Sequence, residues 1–257
     1  MKALLPILLV ATLIFPAMKM RGSDRTADDL IAKMLDSQNT RGAVIRAKLT
    51  VEDDKSDQKS SAQIRIRIRR DPGMTRMLFQ VLWPDAHKGE AICIERTNRG
   101  VAGGFIFQPP DKITPLTAAN IGRAYLDSDL SIEDLADEFW HWPSQKITGE
   151  ESIRGDACKI VESRPTGGAT GTYSLVRSWI SPEKLLPLRM EKFGRDDRLA
   201  KRFTVQKTTR HEGVWAPMTT FVQTVGKTRL TTLELSRGER DVEIPPEEFS
   251  PERIRKP

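Results

Sequence analysis

From residue 40 onward polar and apolar residues alternate over most of the chain, and the alternation breaks down once, between residues 109 and 142. Successive side chains of an extended strand point to opposite faces, so a period of two commits a segment to a half-buried strand. The clearest case is residues 63–69, where Ile64, Ile66 and Ile68 alternate with Gln63, Arg65, Arg67 and Arg69. The arginine row reads as the solvated outer face of an antiparallel sheet. A nucleic-acid surface would carry stacking aromatics among the arginines, and none is present.

Further strands follow at short spacing. Residues 42–51 and 76–83 flank the arginine-rich strand, with Asp71-Pro72-Gly73 as a turn. In residues 76–83 both faces are largely apolar, since Leu78 and Leu82 interleave with Met77, Phe79, Val81 and Trp83. Residues 89–95 and 104–108 give two short strands around Asn98-Arg99-Gly100. Beyond the break, residues 146–151, 157–163, 172–180, 186–193, 199–210, 214–225 and 228–237 read as seven more. Short strands separated by turns every 8–12 residues imply a sandwich or a barrel. No linker or repeat divides the chain, so one main domain is expected.

The interruption begins with Pro109, Pro110 and Pro115, which lack the backbone donor a ladder needs. Leu116, Ala119, Ile121 and Tyr125 then give a weak helical pattern. Ser131, with Asp134 three residues on, is a capping box, and Ile132, Leu135 and Phe139 fall on one helical face. The acidic residues around that stripe, Asp127, Asp129, Glu133, Asp134, Asp137 and Glu138, read as a solvated helix face. The segment is expected to cover the sheet.

At the N-terminus a basic start, an apolar run over residues 4–15 and Pro16-Ala17 read as a signal peptide spanning residues 1–22. The run is about half the ~20 apolar residues of a membrane span. An amphipathic helix is expected over residues 23–38. The net charge of +6 over 257 residues is a mild bias. It suits anionic lipid and requires no nucleic acid. Cys93 and Cys158 lie in apolar strand-like runs and fit no metal or redox motif. The three histidines lack ligand spacing, and no serine sits in a nucleophile elbow. No catalytic residue, metal site or cofactor is therefore expected. The strand aromatics Phe79, Trp83, Phe105, Phe107, Trp179, Phe203, Trp215 and Phe221 suit either an ordinary β-core or an interior that accepts acyl chains.

The order of these elements, with the local wording of residues 76–94 (RMLFQVLWPDAHKGEAICI), 121–135 (IGRAYLDSDLSIEDL), 147–165 (ITGEESIRGDACKIVESRP) and 177–194 (RSWISPEKLLPLRMEKFG), resembles the LolA/LolB-like superfamily of periplasmic lipoprotein carriers. It is similar in particular to the outer-membrane lipoprotein-sorting proteins, over residues 25–240. The resemblance implies a mainly β fold with a helical lid: an incomplete, strongly curved antiparallel barrel closed by short α-helices. It implies a carrier domain over residues 23–241 and a C-terminal tail over residues 242–257. It implies a lipid-binding interior lined by Ile64, Ile66, Ile68, Phe79, Trp83, Phe105, Phe107, Trp179, Leu188, Phe203 and Phe221. The lid residues would be Leu116, Ile121, Ile132, Leu135 and Phe139. The implied role is non-enzymatic: a monomer that moves lipoprotein acyl chains or phospholipid through the periplasm, from an inner-membrane donor to an outer-membrane acceptor. An envelope-stress sensor, a lipid-binding accessory of a membrane transporter and, more remotely, a lipid hydrolase are the alternatives.

Overall fold

The computed structural model describes residues 26–166 and 171–255. The expected signal peptide and the glycines Gly167 and Gly168 lie outside the described residues. Helix α1 (Ala27–Ser37) opens the described chain. Thr26 caps it by a capping box with Asp29, and Ala27, Leu30, Ile31 and Met34 are its buried side chains. Six strands then run in sequence: β1 (Gly42–Asp53), β2 (Gln58–Asp71), β3 (Met74–Trp83), β4 (Ala91–Thr97), β5 (Gly100–Gln108) and β6 (Lys112–Pro115). After the insert come β7 (Ser144–Ile153), β8 (Asp156–Arg164), β9 (Tyr173–Ser181), β10 (Leu186–Gly194), β11 (Leu199–His211), β12 (Val214–Thr224) and β13 (Arg229–Arg240).

Among the described residues these strands form one antiparallel sheet in the order β6-β5-β4-β3-β2-β1-β13-β12-β11-β10-β9-β8-β7. The chain winds outward to one edge and returns from the other, and β1 and β13 join the halves. Since β6 and β7 are the two edges, the curved sheet does not close. The segment between them must cross from one edge to the other. The break in alternation seen in the sequence is thus the strap across the open mouth from Leu116 onward, while its first residues, 109–115, instead turn back into the edge strand β6, with Pro115 opposite Phe105.

The inner face, on which this strap packs, carries Ala47, Leu49, Ile64, Ile66, Met77, Phe79, Ile92, Ile94, Phe203 and Val222. Helix α1 covers another part of it, against Val161, Val176 and Ile180. The outer face has its own apolar patches. Leu78, Ala91, Cys93 and Phe107 pack beneath Ile244, Phe249 and Ile254 of the C-terminal segment, which ends in α3 (Pro251–Arg255). That cover explains why both faces of β3 are apolar. It also modifies the reading of the arginine row as solvated. Arg69 donates to the Ile244 carbonyl at 2.6 Å and pairs with Asp71 at 2.7 Å, and Arg67 lies 3.8 Å from Glu248. The two cysteines are free and buried, in separate patches. Burial pushes the Cys93 thiol up to about 12.

Candidate functional site

The strap from Leu116 to Pro143 is mostly turns, with a lone bridge between Ala124 and Ser131. Its helix, α2 (Ile132–Ala136), starts as the sequence predicts: the Ser131 hydroxyl accepts from the Asp134 amide and Asp134 accepts from the Ser131 amide. The helix then stops after five residues, because Asp137 adopts a left-handed conformation with φ 47°. A 3-10 turn, Glu138–His141, follows. Phe139 is therefore not on the α2 face. Leu116, Ile121, Ile132 and Leu135 enter the inner core with the sheet residues, whereas Phe139 packs with Trp140 against α1.

The acidic residues correct the expectation of a solvated helix face. Asp129, Glu133 and Asp134 are 2%, 6% and 4% exposed. Asp134 lies between two cations, Lys192 at 2.9 Å and Lys201 at 2.6 Å, and accepts from the Tyr173 hydroxyl at 2.9 Å. Lys192 and Lys201 are directly opposite on β10 and β11, where like charges alone would repel. The rings of Phe203, Phe139 and Tyr173 surround the Lys192 ammonium at 4.8, 5.0 and 5.2 Å. Burial by itself would push the Asp134 carboxyl up. The two ammonium groups and their hydrogen bonds outweigh it and hold the carboxyl well below the usual carboxylate range.

Other contacts tie the strap to the rest of the sheet. Asp129 accepts from the Thr231 hydroxyl at 2.8 Å and lies 3.5 Å from Arg229. Glu133 accepts from the Thr172 amide at 3.0 Å, and burial raises its carboxyl despite that bond. On the opposite half, Arg96 of β4 donates to the carbonyls of Ala136 at 2.7 Å and Asp137 at 3.1 Å, and Glu138 accepts from the Val101 amide. The strap thus bonds to both halves of the open sheet. Its cationic partners lie far off in sequence, on strands whose lysines and arginines read as surface. The missed signal is an uncompensated ladder of like charges, Lys192 against Lys201, which a register assignment alone would have shown.

The structure divides the residues expected to line one interior. Ile64, Ile66, Ile68, Phe79 and Phe203 lie on the inner face. Phe105 and Phe107 lie on the outer face beneath the C-terminal segment. Trp179 and Leu188 share an outer patch with Cys158 and Val205. Leu188 falls where the β9–β10 register slips, and such a bulge reverses which face a side chain takes. Phe221 pairs with Thr204, one step out of phase with the inward pair Phe203 and Val222, so it too faces outward. Trp83, at the end of β3, is 48% exposed.

Two larger cavities open on the sheet, one against the strap and one away from it. One of about 530 Å³ lies between β5, the strap and residues 165–166, with Glu133, Glu138 and His141 in its wall. The other, of about 420 Å³, opens where α1 ends over β1, β2, β12 and β13. Ile45, Ile68 and Leu235 join its wall to the inner core. Among the described residues no helix is long and apolar enough to cross a membrane.

Comparison with solved structures places this architecture. The chain is similar to an outer-membrane lipoprotein-sorting protein domain from Vibrio parahaemolyticus, described as putative, with a TM-score of 0.82 and 14% identity over 91% of this chain and 100% of that one. It is similar to a DUF1329 family protein from Desulfovibrio piger, with a TM-score of 0.80 and 19% identity over 87% and 95%. It is also similar to a LolA superfamily protein from Nitrosomonas europaea, with a TM-score of 0.71 and 15% identity over 88% and 97%. The fold is thus that of the LolA-like open barrels, as the sequence resemblance implies. No curated protein matches the chain. A family model described as "Uncharacterized protein" matches residues 73–256, most of the chain, and the chain belongs to that family.

Proposed function

We propose that the protein is a carrier that holds an acyl chain in the apolar trough between the sheet and the strap. The observation that supports this reading is the way the trough is closed. Its wall belongs to the sheet, but its cover is the single connection between two unpaired edges, held by discrete polar contacts. A cover of that kind can lift without unpairing a strand.

The energetics suit exchange. Leu116, Ile121, Tyr125, Leu130 and Ile132 of the strap are buried in the inner core. At ~1.5–3 kcal/mol per side chain, lifting these five exposes about 7.5–15 kcal/mol of apolar contact. A bound acyl chain restores ~0.8 kcal/mol per methylene, so about nine to nineteen methylenes offset the loss. That range is the scale of one lipid tail.

The reading extends to a carrier domain over residues 23–241, export by the segment 1–22, action as a monomer in the periplasm, and exchange with an inner-membrane donor and an outer-membrane acceptor. The role is binding without turnover. Mass spectrometry of the protein purified from native membranes tests it. Co-purifying acyl-bearing ligands support a carrier. Turnover of added phospholipid would replace it with an enzyme, and a ligand-free protein that takes up no acyl probe would remove it.

A further inference from the structure

The 420 Å³ cavity differs from the rest of the interior in its charge. Its wall combines Ile45, Ile68, Leu235 and Met218, the last 45% exposed at the surface, with the guanidinium groups of Arg70 and Arg240. Arg70 continues the inward series Ile64, Ile66 and Ile68, and Arg240 pairs with Ala43 on β1. The side chain of Arg70 is pushed down from its usual range by burial first, then by the charges of Arg96 and Arg240. The protein gives these two cations little compensation. Arg70 donates to the Thr40 carbonyl at 3.2 Å, and Arg240 to the carbonyls of Ser37 at 3.4 Å and Asn39 at 3.2 Å. Of these carbonyls only that of Ser37 belongs to α1, whose dipole supplies about half a negative charge, and those of Asn39 and Thr40 follow its C-cap Gln38. Neither arginine pairs with a carboxylate among the described residues. Arg96 gives its bonds to the strap, Asp241 accepts from Thr40, His211 lies 3.9 Å from Glu212, and Glu239, the one acidic residue along the cavity, stands opposite Val44 of the outer patch.

We infer that this cavity is the entrance for an anionic amphiphile, with the carboxylate or phosphate of its headgroup between Arg70 and Arg240 and its chain running past Ile68 and Leu235 toward the inner core. The inference rests on the carrier reading and narrows it to a class of ligand. A guanidinium offers five donors in a planar fork, and each of these two spends only one nitrogen on the protein. An anion placed between them would neutralise two like charges that now repel each other. A volume of about 420 Å³ is in the lower part of the ~300–1,000 Å³ range of small-molecule sites, enough for one chain to begin in. Met218 at the mouth is the flexible apolar side chain that accommodates ligands of varied shape.

The test compares two probes of equal chain length, oleate and oleyl alcohol, displacing a fluorescent acyl probe from the full chain at pH 8. The expected result is that oleate binds more tightly than the alcohol. The double variant Arg70→Gln/Arg240→Gln should weaken oleate by about ten-fold or more, the scale of a lost charge-assisted hydrogen bond, and leave the alcohol unchanged. Alcohol binding also reports that the variant is folded, and Arg70→Lys, which keeps the charge, should retain part of the preference. Equal weakening of both probes, or of neither, overturns the headgroup site while leaving the carrier reading in place. Displacement by inorganic phosphate at the concentrations effective for oleate would make this a free-anion site and overturn it too. If neither probe binds the natural chain, the carrier reading fails with it.

Discussion

Lys192 and Lys201 face each other across β10 and β11, and both ammonium groups bind one carboxylate, Asp134, whose side chain is fully buried. The arrangement places one carboxylate between two ammonium groups at the seat of the strap, with Glu133 and Asp137 also within electrostatic reach of Lys192. Replacing Asp134 strands a charge: Lys192 is 1% exposed and has no route to water. Asp134→Asn is therefore expected to destabilise the protein by ~3–5 kcal/mol, the cost of breaking a buried pair by removing one partner. Asp134→Leu combined with Lys192→Met removes the two fully buried charges and leaves only Lys201, which is 15% exposed and nearer water, so it should recover much of that loss. Urea midpoints of the three proteins check it, and a single variant no less stable than the double one would show that the charges are not buried together.

The same pair fixes a pH dependence. The Asp134 carboxyl is held below its unfolded value of about 3.9, so its contribution is complete above that pH and is lost as pH falls toward the folded value. Asparagine mimics the protonated carboxyl and titrates nowhere. The stability gap between the natural protein and Asp134→Asn should thus stay level from pH 8 to about 5 and narrow below about 4. Thermal melts at matched ionic strength measure that gap. Titrations common to both proteins cancel in the gap, so narrowing near neutral pH would mean that the Asp134 carboxyl is not held below its usual range.

The sheet and its cover were legible because they rest on local signals. Alternation at Ile64, Ile66 and Ile68 fixes a face, and Ser131 with Asp134 starts a helix, whereas Pro109 and Pro110 do not end the ladder as expected: they turn the chain into β6, where Pro115 pairs with Phe105 at the sheet edge. The polar contacts of the strap were not legible. Asp134 reads as a surface acid in any helical projection, and its burial depends on Lys192 and Lys201, brought near only by the order of strands in the sheet. Leu188 shows a second limit, because a one-residue slip against β9 moves it to the outer face while the sequence still alternates. Phe139 shows a third. Its helical spacing from Ile132 is genuine, but the left-handed Asp137 between them redirects the chain toward α1.

That redirection separates two kinds of residue in the strap. Ile132 is 2% exposed and packs on the sheet in the inner core, while Phe139 is 3% exposed and packs on α1. Phe139→Ala should cost ~3–5 kcal/mol, and Ile132→Ala ~2–5 kcal/mol. Under the carrier reading only the second lies between strap and trough. Ile132→Ala should speed exchange of a fluorescent acyl probe, and Phe139→Ala should lower the melting temperature with little change in exchange. Equal effects on exchange would mean that the strap and α1 move as one cover.

The C-terminal segment should behave as part of the folded sheet and not as an appendage. Phe249, 5% exposed, packs with Leu78, Cys93 and Ile254 on the outer face, and the Cys93 thiol lies 3.7 Å from the Phe249 carbonyl. Truncating it to alanine is expected to cost ~3–5 kcal/mol. Gly42 offers an independent way to disturb the same contact. A Cβ at that position would overlap the carbonyl of Val242, which is backbone and cannot step aside as a long side chain could. The Val242 amide donates to the Gly42 carbonyl at 3.2 Å, so the two chains are already joined there. Gly42→Ala should therefore displace the segment at its root. The exposed outer patch would then uncover Leu78 and Phe107, and both variants should gain hydrophobic-dye binding at temperatures where the natural protein shows none. Because this patch lies on the opposite face from the trough, acyl-probe binding below the melting transition should survive in Phe249→Ala, whereas Gly42 adjoins Thr40 and Ala43 of the cavity wall. Loss of probe binding in a folded Phe249→Ala protein would instead place the C-terminal segment in the carrier machinery.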